Sequence, residues 1–329
     1  MEFLGSLFTD LGAQILSPVT AAFVLAAIGV NIQFGYTGLL NIGQAGFMLL
    51  GAYGVAITIE FGGPLWLGIL LAIVASVLFA LVLGVPTLRL RGDYLAIVTI
   101  AAAEIIRIVG GDQSLVNVTG AVAGIPGTKY QGAFTALSPF PKSGLFTIGP
   151  YTYPLSAGNS WFLIIVAWVA VIVIALLVFL LVRSPWGRVI KGIREDQDAA
   201  RSLGKNVQLY KMQSLIIGGV LGSLGGAVYA LSASVQPDSF GRTTTFLLYT
   251  CLILGGTATI FGPVLGSFLY FMVLVGLRDV ITQFVPPSIM NAQQIPQFTW
   301  IVVGVGLMLL VIFRPQGILG NKKELAFDA

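Results

Sequence analysis

Glu104 and Arg107 stand three residues apart in an otherwise apolar stretch. That spacing lets a carboxylate and a guanidinium pair across one helical turn. Charges among membrane helices are costly, so they turn to the bundle interior or to water. Two readings follow: a structural ion pair near the outer interface, or a lining of the external mouth of a solute path. The other polar candidates for such a path are neutral: Asn41, Gln44 and Thr99, with the backbone of Gly255 and Gly256. Covalent catalysis has little to work with. The 329 residues contain no histidine, one cysteine (Cys251) and thirteen acidic residues. An enzyme would need a convergent nucleophile, base and orienting group, while His/Cys metal clusters, disulfide frameworks and Cys–His pairs are excluded. The chain also has no phosphate-cradling G-x-x-x-x-G-K-[ST], so it holds no ATPase site of that type.

The elements that position these residues must lie in lipid. The chain is 57% hydrophobic and 9% charged, against roughly 25% charged in soluble domains. Runs near the length of about 20 apolar residues needed to cross a bilayer fall at 16–35, 39–59, 64–85, 93–110, 161–182, 212–233, 246–277 and 295–313. The fold class expected is all-α: one transmembrane helix-bundle domain over 1–329, with about eight to ten membrane segments by that length rule. Residues 1–16 carry no Lys or Arg, unlike a secretory signal. Their apolar positions have helical spacing, which predicts a helix along the interface. Residues 111–160 hold five prolines (126, 139, 141, 150 and 154) and read as a long irregular loop, uncommon unless it has a role.

Lys and Arg set the orientation. Seven basic residues fall in 183–211: Arg183, Arg188, Lys191, Arg194, Arg201, Lys205 and Lys211. That segment is placed in the cytoplasm, with Arg89 and Arg91, and with Arg314, Lys322 and Lys323. The 111–160 loop has only Lys129 and Lys142 and is placed outside. The net charge of +4 therefore reads as membrane orientation rather than nucleic-acid binding. Parity then requires 246–277 to go in and come back. Gly255, Gly256, Gly262 and Pro263 can break a helix, which predicts two pieces, 246–256 and 261–277. Asp93 reads as a charge at a helix start.

Within the basic segment, Pro185 and Gly187 punctuate the exit from a membrane helix. Asp196 is placed as a helix cap, Ala199, Ala200 and Leu203 continue the helix, and Gly204 stops it. A short charged helix of this kind suits docking into a cleft on a partner, or it serves only as a solvated loop that sets topology. The glycines between Gly35 and Gly54 leave a second pair of readings open. They allow close helix packing, or they mark a broken pore-lining helix with Asn41 and Gln44 facing the route. Gly255 and Gly256 divide in the same way.

Glu195, Ala199, Ala200 and Gly204 resemble the coupling motif of ABC importer permeases. The longer string from Gly187-Arg-Val-Ile-Lys-Gly-Ile-Arg-Glu-Asp to Ala-Ala-Arg-Ser-Leu-Gly204 is similar to that of LivM-type branched-chain amino acid permeases. So are Phe34-Gly-Tyr-Thr-Gly-Leu-Leu-Asn-Ile-Gly-Gln-Ala-Gly-Phe, the stretch Arg91-Gly-Asp-Tyr through Glu104-Ile-Ile-Arg107, the run Leu254-Gly-Gly-Thr with Gly262-Pro-Val-Leu-Gly, and the closing Phe313-Arg-Pro-Gln-Gly-Ile-Leu-Gly. Gln44 stands where many members of that family carry His. The resemblance implies an ABC importer permease fold in the bacterial inner membrane. It implies a second, related permease subunit as a heterodimer partner, two ABC ATPase subunits holding ATP and Mg, and an external (periplasmic or extracellular) substrate-binding protein. It places ATPase coupling on Arg194, Glu195, Asp196, Ala199, Ala200, Leu203 and Gly204. This chain would itself bind no cofactor, metal or nucleic acid, and it would sit among membrane lipid. Two alternatives stay open: the same fold importing urea, amides or another small polar solute, and a stand-alone secondary transporter or channel. The latter would leave the 187–204 segment without a use.

Overall fold

The computed structural model describes residues 2–88, 92–141, 144–155, 160–285, 290–291, 293–313 and 317–320. Arg89, Arg91, Lys142, Arg314, Lys322 and Lys323, used above for orientation, lie outside the described residues. Fourteen α-helices appear among the described residues. The long ones are α1 (Glu2–Leu16), α2 (Pro18–Val30), α3 (Gln44–Glu60), α4 (Leu65–Thr87), α5 (Gly92–Gly110), α8 (Trp161–Arg183), α11 (Val207–Ser232), α12 (Arg242–Gly255), α13 (Gly262–Phe284) and α14 (Gln294–Phe313). Two short helices, α6 (Val116–Thr119) and α7 (Gln131–Thr135), lie between α5 and α8. Another two, α9 (Pro185–Glu195) and α10 (Gln197–Ser202), lie between α8 and α11.

Local side-chain chemistry starts several of these helices. Ser17 caps α2 through the Val19 amide, with Pro18 at the first turn. Ser160 caps α8 through Leu163, and Asn206 caps α11 through Leu209. Side-chain oxygens at these positions accept amide hydrogens that the helix leaves unbonded. Five helical stretches are long and apolar enough to cross a membrane: 18–36, 65–87, 161–183, 207–232 and 262–284. Residues 94–110 and 113–119 make a sixth if that bent pair is one span. Lipid-facing surface explains the exposed Ile165, Val169, Ile172 and Leu176 of α8, since lipid imposes no penalty on apolar side chains.

The core is built around α11, which lies against α2, α3 and α4. Its small residues let backbones touch: a Cβ on Gly226 would meet the Met48 carbonyl, and one on Gly51 would meet the Ser223 carbonyl. Small-residue contacts of this kind take the place of hydrophobic driving force between helices in lipid.

Several sequence expectations shift. The predicted break in 246–277 is present, but its pieces are longer, 242–255 and 262–284. At about 1.5 Å per residue, the 14 residues of α12 reach most of the way across. The span expected at 39–59 begins only at Gln44, because residues 37–43 leave the helix and turn back into the bundle. Helix α1 packs along α13, with Leu11 beside Gly276; contact with a neighbouring helix, not only an interface, satisfies its apolar face. The 111–160 segment is not irregular throughout. It holds short helical turns and an antiparallel hairpin, β1 (Leu145–Ile148) with β2 (Tyr151–Pro154).

Contacts sort the helix ends into two groups. At one end, Ile125 and Val235 form a backbone bridge, Lys129 pairs with Glu60, and Tyr130 donates to the Ala233 carbonyl at 2.6 Å. At the other, the basic segment meets the end of α2. The Gly317–Gly320 stretch also returns there, with Ile318 and Leu319 amides on the Leu254 and Gly255 carbonyls. This grouping agrees with the alternation of basic and non-basic loops along the chain.

Candidate functional site

At the basic end, Pro185 begins α9 at its first turn and Gly187 brings that helix against the end of α8, where a Cβ would meet the Val182 carbonyl. The α9 helix is strongly two-faced: Gly187, Ile190 and Ile193 are buried, while Arg188, Lys191 and Glu195 are exposed. Asp196 is extended and ends α9. Its carboxylate then accepts the Asp198 and Ala199 amides, at 2.8 and 3.0 Å, to start α10. Gly204, at φ +74°, ends the turn in the left-handed conformation that glycine adopts without a Cβ penalty.

The expected capped helix is therefore present, and α9 in front of it is a helix that sequence reading missed. The signal was available in the amphipathic order Val189, Ile190, Ile193. Ile193, Ala200 and Val207 form a small buried cluster under α10. Above it opens a groove of about 490 Å³ lined by Arg188, Val189, Glu195, Ala199, Ala200 and Leu203, among others. Leu203 is 80% exposed. Arg194 does not join this surface. It turns inward and donates to the Gly35 carbonyl at 2.6 Å.

The second group lies inside the bundle where α2 gives way. Residues Asn31–Tyr36 form a wide π-helical turn, a feature that often marks functional sites. Thr37 to Gly43 then leave the helix, and α3 starts at Gln44. Asn41 and Gln44 are fully buried. Asn41 donates to Gln33 at 2.9 Å and to Gln44 at 3.3 Å, and Gln44 donates to the Gly218 carbonyl of α11 at 2.8 Å. The Thr99 hydroxyl accepts the Ile42 amide at 3.0 Å, and Thr245 accepts that of Ala45 at 3.0 Å. The Tyr249 hydroxyl donates to the Asn41 carbonyl at 2.8 Å. These side chains replace the backbone bonds that the broken helix lacks, as buried polar groups in lipid require.

A family model for the permease component of branched-chain amino acid transport systems matches residues 14–312. The chain belongs to this permease family. It is 29% identical to the high-affinity branched-chain amino acid permease LivM of Salmonella typhimurium, covering 94% of this chain and 70% of that one. It is 24% identical to the probable branched-chain amino acid permease LivM of Methanocaldococcus jannaschii, covering 91% of each. It is also 28% identical to the guanosine ABC transporter permease NupQ of Bacillus subtilis, over 68% of this chain and 69% of that one. No solved structure matches it. The permease is an all-α, multi-pass membrane protein, a transport subunit of an ABC transporter without its own ATPase site.

The remaining candidates of the permease separate in space. Thr99 joins Asn41 and Gln44; Glu104 does not. Glu104 bonds Arg107 at 2.6 Å, and Arg107 reaches on to Asp238 in the turn after α11. The pair thus ties two helix ends together at the non-basic end. Gly255 and Gly256 close the turn between α12 and α13: a Cβ on Gly255 would meet the Gly262 carbonyl, and Gly256 lies at φ +117° against Gly320. Asn31, unremarked in the sequence, clamps that turn by donating to Thr259 at 2.7 Å and accepting from Ala258 at 2.9 Å. Gln33, Thr37, Ser214, Thr245 and Tyr249 were also passed over. The available signal was polarity within a hydrophobic helix, as in Asn31-Ile-Gln33. Their partners lie too far along the chain for spacing to pair them.

Proposed function

We propose that this permease is a pore-forming subunit of an ATP-driven importer of branched-chain amino acids in the bacterial inner membrane. It works beside a second, related permease subunit, with two ATPase subunits on the cytoplasmic face and an external substrate-binding protein. The single observation that carries this reading is the α9–α10 unit: a capped, amphipathic helix pair with an open groove and an exposed Leu203, on the end that the basic residues place in the cytoplasm. Such a pre-shaped surface offers a partner a rigid handle. Closure of ATP-loaded partners against it would bias a bundle with two arrangements, the ordinary physics of a switching transporter. The substrate class draws support from the LivM relatives.

The test uses the whole transporter in proteoliposomes. Ala200→Glu puts a charge where the groove floor meets the Ile193–Ala200–Val207 cluster, and Gly204→Pro demands a conformation incompatible with φ +74°. Each should abolish ATPase co-purification and ATP-dependent leucine uptake while the permease still folds. Uptake that persists without any ATPase would instead identify a stand-alone transporter. A second substrate reading, a nucleoside, is favoured by the guanosine permease among the relatives. Uptake of labelled guanosine with none of leucine would select it.

A further inference from the structure

We infer that Arg194 is not part of the docking surface but a transmission joint, linking the α9–α10 unit to the broken helix inside the bundle. The inference rests on the docking proposed above. Helix α2 ends at the π-turn, so the Gly35 carbonyl has lost its helical partner. The Arg194 guanidinium takes that place at 2.6 Å, a cation at a helix C-terminus. The fit is close on both sides. Gly38, at φ +70°, packs directly on Arg194, where a Cβ would stand 3.2 Å from Cγ and 3.6 Å from Cβ. One turn earlier, the Lys191 ammonium lies 5.5 Å from the Tyr36 ring centre.

From this joint a continuous set of contacts runs inward. The Leu39 amide bonds the Gln33 carbonyl at 2.8 Å, and the Gln33 side chain accepts from Asn41. Asn41 reaches Gln44, and Gln44 reaches the α11 backbone. Displacing α9 must therefore either move residues 35–44 or break the joint. A two-state element biased from the docking side is what a coupling claim requires. Asn41 and Gln44, buried and bonded to each other and to α11, would then shift together with Arg194.

The experiment compares transport per ATP hydrolysed in the reconstituted full transporter. Arg194→Gln should leave ATPase co-purification and basal hydrolysis intact while lowering that ratio about tenfold. Arg194→Lys, which keeps the cation, should recover part of it. The decisive variant is Gly38→Cys with Arg194→Cys on a Cys251→Ser background. The 3.6 Å separation lies within the Cβ distance of a disulfide, and the strain of a side chain at φ +70° is common to the reduced and oxidised forms, so their comparison isolates the bond. Oxidation should restore the transport that the reduced form lacks, because a covalent bond replaces the joint. Unchanged coupling in Arg194→Gln overturns the inference, as does an oxidised form that is locked and inactive. Loss of ATPase binding in Arg194→Gln would also overturn it, by returning Arg194 to the docking surface. Failure of the docking proposal shows separately, as ATPase binding that survives Ala200→Glu.

Discussion

The α10 turn and the end of α2 solve one problem in opposite ways. Both are interrupted helices whose free backbone groups need partners. At α10 the partners are two or three residues away: Asp196 serves Asp198 and Ala199, and the Gly204 amide closes on Arg201 at 2.8 Å. At the end of α2 local bonds such as Leu39 to Gln33 are joined by partners from across the chain: Thr99 from α5, Ser214 and Gly218 from α11, Thr245 and Tyr249 from α12, and Arg194 from α9. The first is therefore a local device, open to water and replaceable by water. The second is a buried network in which each member depends on the rest of the bundle. The surface turn is self-sufficient, while the interior break is held by bonds between helices.

Four substitutions would break or sharpen this contrast. Gly226→Leu drives a side chain into the Met48 carbonyl at the α11–α3 crossing, and overpacking there should cost about 3 kcal/mol. Thermal unfolding in detergent should show it as the largest drop in Tm of the set. Gln44→Leu roughly keeps the volume but removes the Gln44 bond to the Gly218 carbonyl, which retains its helical partner within α11, and one bond of Asn41. A loss of about 2 kcal/mol is expected, with accelerated hydrogen exchange in α3, α5 and α12 together; exchange confined to α3 would mean the network is not shared. Asp196→Ala removes a cap worth about 1 kcal/mol. Its effect should be confined to faster exchange at Asp198 and Ala199, with the bundle's Tm unchanged. A falling Tm would show that α10 is less independent than its geometry implies. Asp238→Asn weakens only a half-exposed pair with Arg107, worth about 0.5 kcal/mol. The difference from the parent should vanish at high salt, because exposed pairs are screened.

The same contrast explains what could be read from residues alone. The α10 cap and its glycine stop were legible because donor, acceptor and turn residue all fall within nine positions, Asp196 to Gly204. The break at 255–262 was legible from its glycines and proline together with charge parity. The break after Tyr36 was only half legible. Its glycines announced either close packing or a broken helix, and both occur, the packing at Gly51 and the break at residues 37–43. Helix α9 was passed over because basic residues on its exposed face masked the three apolar ones that bury.

Sequence alone determined the lipid environment, the multi-pass all-α class, the basic segment and the family resemblance. These follow from composition, run length and charge counts, which need no knowledge of who touches whom. The about eight to ten membrane segments expected by length compare with five long apolar spans among the described residues, or six with the bent pair. Only the tertiary structure decided that Arg194 faces inward to Gly35, that Glu104 and Arg107 recruit Asp238 rather than Asn41, and that Gln44 bonds α11. Partners separated by 131 to 174 positions are brought together by helix packing, and no local spacing rule encodes that.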